Sequence, residues 1–328
     1  MRGKVLITGA SGFLGFHLIN AAIENNLEVY AAVRGKSDIK HLQELPIHFV
    51  QVNFSDMQGL KDLFSEHHFD YVIHAAGTTK ANSQKEYDLV NNQYTQNLAL
   101  AAEKEKKQIK RFVFISSLAA TGPIKTGEGK IKEDNHPNPV TAYGKSKLKA
   151  EKNLEKVDLP ITILRPTAIY GPREKDIFLI NQYLKQGFEP YIGRKPQKLS
   201  FIYGKDVADL AVKVLTNQNA NGIYNISDGN EYSRYDYAVI VKKLLGKKTL
   251  KLHLPVPVVK ALLFAVEKLS RSFNKVPAVN NEKLHELTAE NWICDIKKAT
   301  EELNYLPGYN LEQGLTASIE WYKKNNWL

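Results

Sequence analysis

The sequence predicts an α/β fold: a doubly wound parallel sheet with a smaller, mostly helical C-terminal lobe. Three observations carry this. Short apolar runs alternate with helical patterns through the first half of the chain. Those runs are apolar throughout instead of every second residue, as expected for parallel strands covered on both faces. After Gly171 the rhythm breaks into short elements punctuated by Pro172, Pro190, Gly193 and Pro196, and then turns mostly helical from about Ser227.

Taken in order, Lys4–Thr8 reads as a buried strand, followed by a helix to about Asn25. Leu27–Val33 and Ile47–Asn53 are strands, Met57–Glu66 a helix and Tyr71–Ala75 a strand. A long helix is expected over Lys85–Lys107, then a strand at Arg111–Ser116, a helix from near Tyr143 and a strand at Ile161–Arg165. Strand–helix–strand repetition of this kind builds a doubly wound sheet. A helix near Lys205–Leu215 and a strand at Ile223–Ile226 read as returns to that sheet, and a helix near Leu311–Lys324 closes the chain. The expected division is residues 1–171, with returns near 204–226, for the sheet domain, and 172–203 with 227–328 for a substrate-binding lobe. At 328 residues the chain exceeds one average domain of about 150 residues.

Composition narrows the function classes. Hydrophobic residues make up 43% and charged residues 24%, ordinary for a protein with a filled core. The net charge of +10 could serve a polyanion. No basic run interleaves with aromatics, so a basic surface and a pocket for a phosphorylated cofactor are expected, and no nucleic-acid partner. The densest cluster, Lys104, Lys106, Lys107, Lys110 and Arg111, is expected at a helix end, where cations suit the dipole. A single cysteine, Cys294, excludes an internal disulfide framework and a multi-cysteine zinc site. The nine histidines show no metal-ligand spacing, so no metal is expected. The chain enters a strand almost at once, which argues against a signal peptide, and a cytoplasmic location is expected. The longest apolar stretch, Val256–Val266, is broken by Lys260 and is too short to span a bilayer, so no stable membrane insertion is expected. It reads first as a core-packed helix and second as an interfacial helix or apolar entrance, with Lys268, Arg271 and Lys275 just after it.

The chemistry starts at the end of the first strand, Thr8-Gly9-Ala10-Ser11-Gly12-Phe13-Leu14-Gly15. Glycines three apart, directly after a strand and opening a helix, let backbone approach a pyrophosphate at the helix N-terminus. This is a Rossmann dinucleotide-binding signature, and Gly9, Ser11, Gly12, Phe13, Leu14 and Gly15 are its expected contacts. An NAD site ends its second strand in an acid that takes the ribose hydroxyls. Here Val33 is followed by Arg34-Gly35-Lys36, with no acid until Asp38, so positive charge stands where a 2′-phosphate would lie. NADP(H) is therefore favoured over NAD(H). The Arg111–Ser116 strand ends in Ser116-Ser117, where ligands bind in such sheets. Tyr143 and Lys147 are four apart, hence on one helix face. A tyrosine ordinarily titrates near pH 10, and lowering that by about 3 units needs about 4 kcal/mol of preferential phenolate stabilisation. A neighbouring ammonium in a dry pocket, with the cofactor's own positive ring, can supply it.

With these residues in view, the chain resembles the extended short-chain dehydrogenase/reductase superfamily over nearly its whole length. This group contains nucleotide-sugar epimerases, dihydroflavonol reductases and hydroxysteroid dehydrogenases. The likeness rests on the glycine loop, His74-Ala75-Ala76-Gly77, Asn91-x-x-x-Thr95-x-Asn97, Ser116-Ser117 and the Tyr143/Lys147 pair. Arg165-Pro166-Thr167-Ala168-Ile169-Tyr170-Gly171-Pro172 and a C-terminal Trp321-Tyr322 helix complete it. The resemblance implies Ser117 as the catalytic serine, because it stands five residues before Gly122; Thr121 replaces a tyrosine of that pattern. It implies hydride transfer at the nicotinamide, with Tyr143 moving the proton, Lys147 lowering the tyrosine's pKa and holding the ribose, and Ser117 orienting the substrate oxygen. It also implies cofactor contacts from Asn53, Phe54, Ala75, Ala76, Gly77, Asn91, Ser116, Tyr143, Lys147, Pro166, Thr167 and Ala168. Asn53 stands where an aspartate usually meets adenine.

The branch is read from departures. Leu118 and Ala119 follow Ser117 where 4,6-dehydratases carry Asp-Glu, which sets dehydration aside. Epimerases usually place an asparagine where Ala168 stands and an arginine near Leu199, although Lys198 could substitute. The motifs lean to dihydroflavonol-reductase and 3β-hydroxysteroid-dehydrogenase-like members acting on a small, mainly apolar carbonyl or hydroxyl substrate. The alternative is a UDP-sugar 4-epimerase or reductase using tightly bound NAD. A non-catalytic NADP-sensing regulator is disfavoured, since such proteins tend to lose the tyrosine or lysine and both are present. Lys145, Lys149, Lys152 and Lys156 on the Tyr143 helix would repel across a two-fold, leaving monomer and homodimer both open.

Overall fold

A computed structural model describes the chain apart from Met1, Thr126, Glu128 and residues 273–280; side chains are described except also for 267–272 and 281–282. Seven strands form one parallel sheet: β1 (Lys4–Thr8), β2 (Glu28–Val33), β3 (His48–Gln51), β4 (Tyr71–His74), β5 (Arg111–Ile115), β6 (Ile161–Pro166) and, from later in the chain, β11 (Gly222–Ile226). Their spatial order is β11-β6-β5-β4-β1-β2-β3. The winding reverses between β1 and β4, so a crevice opens there at the carboxyl ends of the strands.

Helices cover both faces, which is why the strand sequences are apolar throughout. Val5 and Ile7 of β1 pack on one side with α1 (Phe13–Glu24) and α7 (Gly204–Lys213). Leu6 points the other way, into a cluster built with α2 (Met57–His67), α4 (Tyr94–Lys104) and α5 (Ala142–Leu154). The expected long helix exists in three parts. α3 (Gln84–Tyr87) runs through a π-helical turn at Asp88–Gln93 into α4, and ends at Lys104, three residues earlier than its pattern implied. Arg111 does not belong with the exposed lysines at that end. It is buried, and donates to the carbonyls of Ala220, Asn217 and Gln218.

The remaining elements are β7 (Ala168–Tyr170), α6 (Phe178–Lys185), β8 (Phe188–Ile192), β9 (Lys198–Leu199), β10 (Phe201–Tyr203), β12 (Tyr232–Ser233), α8 (Asp236–Leu245), β13 (Leu250–Leu254), α9 (Val256–Ser272), α10 (Asn281–Thr288), α11 (Lys297–Leu303) and α12 (Leu311–Lys324). Residues past Ser227 thus include two short strands among the expected helices. A third cluster, with Tyr170, Leu184, Tyr237, Val241, Leu315 and Ile319, packs these elements together. The Val256–Val266 helix is not core-packed as first expected. Val259 is buried, but Val258, Leu262, Phe264 and Val266 are exposed. Apolar residues lie all round this helix, and one face is enough to seat it. The basic residues expected beyond it, Lys268, Arg271 and Lys275, lie outside the described side chains.

Candidate active site

The glycine loop is shaped by what side chains would do there. Gly9, at φ +71°, follows β1, and a Cβ on it would come within 2.7 Å of the Ala75 carbonyl oxygen after β4. A Cβ on Gly15 would come within 2.1 Å of the Gly9 oxygen. Gly12 caps α1 without any side-chain bond to the first-turn amides, and no acid stands in that turn. The helix therefore presents unfilled backbone N–H groups and positive dipole at the crevice, the requirement for a diphosphate. Ser11, Phe13 and Leu14 are half-buried, Leu14 against the core. The residues fit a dinucleotide.

Around this cradle, Arg34 and Lys36 are exposed directly after β2, and neither forms an ion pair with a described residue. Asn53 is exposed after β3; its side-chain oxygen accepts from Ser55, and Phe54 stacks on Tyr94 at 5.9 Å. His74 at the end of β4 anchors the Ala75-Ala76-Gly77 turn. Its Nδ1 is 2.7 Å from the Thr8 hydroxyl, and its Nε2 is 2.8 Å from that of Thr95. Thr95 donates to the Asn91 carbonyl and Thr8 accepts the Ala76 N–H, so donor counting puts the ring proton on Nε2. Burial, then the Lys147 charge, pushes the pKa of His74 down to about 3.

This network gives an acid liability with a definite sign. A histidine held near 3 when folded and about 6.5 when unfolded favours the folded state fully above 6.5. That stability is lost as pH falls from there towards 3. His17, pushed down to about 4 chiefly by burial, adds to it over the window from 6.5 to 4. Each should remove about 1.4 kcal/mol per pH unit within its window. Urea unfolding at pH 7 and pH 5 is expected to show the loss, and a His74→Gln variant should flatten it; equal slopes in both proteins would refute the assignment.

Asn91 sits in the π-helical turn and is fully buried. Its Oδ1 accepts from Thr78 N at 2.7 Å, and its amide donates to the Thr78 carbonyl and the Ser146 hydroxyl. It clamps the loop after β4 to the helix that carries Tyr143. Ser116 is also buried. Its hydroxyl donates to Glu151, which forms a buried ion pair with Arg165 at 2.6 Å; Arg165 reaches Thr121 at 3.0 Å. Ser117 follows β5 and lies near enough to Tyr143 to act on its pKa, and its hydroxyl accepts the Ala119 N–H at 3.2 Å.

Thr141 caps α5 through its hydroxyl, which sets Tyr143 and Lys147 on the first turns of that helix. Lys147 is buried, donates to the Ile115 carbonyl at 2.8 Å and lies 4.7 Å over the Phe114 ring. Burial, partly offset by Glu151, lowers its pKa to about 8. Tyr143 is pushed well above its ordinary value by burial, against a smaller lowering from Ser117. In the protein alone the Lys147 ammonium is turned to the Ile115 carbonyl and the Phe114 ring. A phenolate here needs positive charge brought in with the dinucleotide.

Two further features were invisible to pattern reading or gain weight from position. Glu286, on α10, raises the pKa of Tyr143 by its charge; its Oε2 is buried without a partner while Oε1 meets Lys283 at 2.5 Å. No sequence signal marked it, because nothing local ties residue 286 to residue 143. Thr167, after β6, has a buried hydroxyl without a partner. Beside it, Pro166 is buried and Ala168 exposed.

The description "NAD dependent epimerase/dehydratase family" matches residues 5–227, from β1 to just past β11. The chain belongs to this family. Its members include relatives alignable over nearly the whole length. An Escherichia coli O157:H7 protein named N-acetyl-alpha-D-glucosaminyl-diphospho-ditrans,octacis-undecaprenol 4-epimerase is 27% identical over 98% of this chain and 96% of its own. The ceramide reductase of Caulobacter vibrioides is 25% identical, covering 100% of this chain and 96% of its own. The crystal structure of UDP-glucose 4-epimerase from Thermotoga maritima, with UDP-glucose, shares the fold with a TM-score of 0.81 at 21% identity, covering 98% of this chain and 99% of its own. The protein is thus an enzyme of a nicotinamide-dinucleotide-dependent family.

Proposed function

We propose that this family member is an NADP(H)-dependent oxidoreductase acting in the cytoplasm on a carbonyl or hydroxyl carbon of a mainly apolar substrate. The observation that carries the reading is the placement of Ser117, just past the carboxyl end of β5, near Tyr143 on α5, with buried Lys147 one helical turn beyond the tyrosine. Residues 1–171 with the 204–226 return would carry the cofactor, and 172–203 with 227–328 the substrate. Gly9, Gly12 and the open end of α1 would take the diphosphate, Arg34 and Lys36 the 2′-phosphate, and Thr167 a polar edge of the nicotinamide end. When bound, the dinucleotide supplies or accepts the hydride and adds positive charge beside Tyr143. Ser117 donates to the substrate oxygen and holds it, and Tyr143 delivers or removes the proton, so hydride plus proton convert C=O to CH–OH or the reverse.

The apolar substrate follows from missing donors. A diphosphate on the substrate needs several directed N–H or O–H groups, and the side chains of Ala168 and Leu199 offer none. Lys198 faces Glu231 at 3.9 Å, and Arg234 spends its terminal donors on the carbonyls of Lys195 and Ile192. The name of the ceramide reductase relative supports a substrate with long hydrocarbon parts. A second reading, a sugar 4-epimerase, is favoured by the names of two other relatives. NADPH oxidation assayed against long-chain and polycyclic ketones, beside UDP- and GDP-sugars, separates the two. Turnover of an apolar ketone is expected, with Arg34→Ala weakening NADPH binding roughly ten- to a hundredfold and sparing NADH. Tighter binding of NADH by the wild type would remove the 2′-phosphate assignment, and 4-epimer formation from a UDP-sugar would replace the oxidoreductase reading.

A further inference from the structure

The exposed apolar surface of this protein is concentrated in one place. Of the seventeen exposed large hydrophobic residues among those described, nine are Phe188 or fall within residues 250–266. β8 and β13 pair in parallel with Leu250 opposite Phe188 and Leu252 opposite Pro190, so these side chains stand on one face. The other face is closed: Glu189 and Tyr191 are buried, with Glu189 bonded to Lys242 at 2.7 Å and Tyr191 stacked on His253. β13 runs through Pro255 into α9, whose first residue packs beside Gly193 at the end of β8. The apolar strip therefore continues from strand to helix, where Leu262 is 58% and Phe264 64% exposed. A monomeric protein rarely leaves so much contiguous apolar surface in water without a partner for it.

Charge identifies the partner. Residues 247–266 contain four lysines, Lys247, Lys248, Lys251 and Lys260, and no acid. Lys247, Lys248 and Lys260 are exposed and form no ion pair with a described residue. A second copy of this chain would set these lysines against their equivalents around a two-fold, which is costly. An anionic bilayer meets both features: acyl chains take the leucines and Phe264, while lysine stems lie along the apolar surface and their ammonium groups reach lipid phosphates. No described helix is long and apolar enough to cross a membrane. We propose that β8, β13 and α9 form a surface that docks the enzyme reversibly on an anionic lipid bilayer, lying in the interface without spanning it. The proposal rests on surface chemistry and stands apart from the reading of the substrate.

Co-sedimentation of the purified full chain with vesicles of phosphatidylcholine, with and without phosphatidylglycerol, tests it without any activity assay. Binding to the phosphatidylglycerol vesicles is expected, weakening as salt rises. A Leu262→Glu/Phe264→Glu variant should partition at least roughly tenfold more weakly. A Lys247→Glu/Lys248→Glu variant should lose roughly tenfold through charge alone. All four side chains are exposed, so melting temperatures should stay near that of the wild type. Failure of the wild type to bind, equal binding to neutral vesicles, or unchanged binding by the two variants would each overturn the proposal. So would light scattering that shows a wild-type dimer split by Leu262→Glu/Phe264→Glu, since the strip would then be an interface between copies.

Discussion

Tyr143→Phe is expected to lower kcat by roughly a thousandfold or more, within the range that a positioned general acid or base contributes, while cofactor affinity stays within a few-fold. The change removes one oxygen atom. It leaves the glycine loop, the end of α1 and Lys147 in place, so the dinucleotide should still bind. The hydroxyl it removes is the group whose pKa Ser117 lowers and Glu286 raises. Lys147→Met should behave differently, weakening cofactor binding as well as turnover, because its ammonium lies at the base of the crevice, 3.5 Å from where a Cβ on Gly77 would be. Fluorescence titration of NADPH with both variants, beside single-turnover rates, reads the two effects separately. Near-wild-type turnover by Tyr143→Phe would remove the proton-transfer role, whatever the substrate.

The second large effect is on stability. Glu151 and Arg165 are 1% and 2% exposed, and the pair is bidentate, with Arg165 Nε on one carboxylate oxygen and Nη2 on the other. Glu151→Gln is expected to destabilise the protein by about 3–5 kcal/mol, because it leaves a buried guanidinium without its counter-charge. The cost comes from that orphaned charge and not from the worth of the pair. A Glu151→Met/Arg165→Met double variant should therefore recover much of the loss, as measured by urea-unfolding midpoints. Equal or greater loss in the double variant would contradict this account. The same carboxylate raises the pKa of Lys147 against burial. Where Glu151→Gln still folds, any alkaline limb of the activity profile due to Lys147 should move to lower pH.

Much of the site was legible because its signals are local. The glycine spacing, the serine after a strand and the tyrosine and lysine four apart each need only a few consecutive residues to be recognised. The side-chain partners of Ser116 and Asn91 were not legible. Both stand at motif positions, but the structure spends the Ser116 hydroxyl on Glu151 and the Asn91 amide on Thr78 and Ser146, and those partners are 35 and 55 residues away in two cases. Pattern identifies a position in such a motif without saying which way its side chain turns.

The sequence by itself determined the parallel sheet, its covering helices and the glycine loop after β1, since hydrophobic periodicity and glycine placement are dictated by backbone geometry within each element. Only the tertiary structure decided three things. It brought the charge of Glu286, 143 residues further along the chain, within electrostatic reach of Tyr143. It put the Tyr143 pKa up and turned Lys147 to the Ile115 carbonyl, because burial and charge act through space. It left the Val256–Val266 helix exposed, because an apolar helix has the same pattern whether its neighbours are protein or solvent, and only the assembled neighbours tell the two apart.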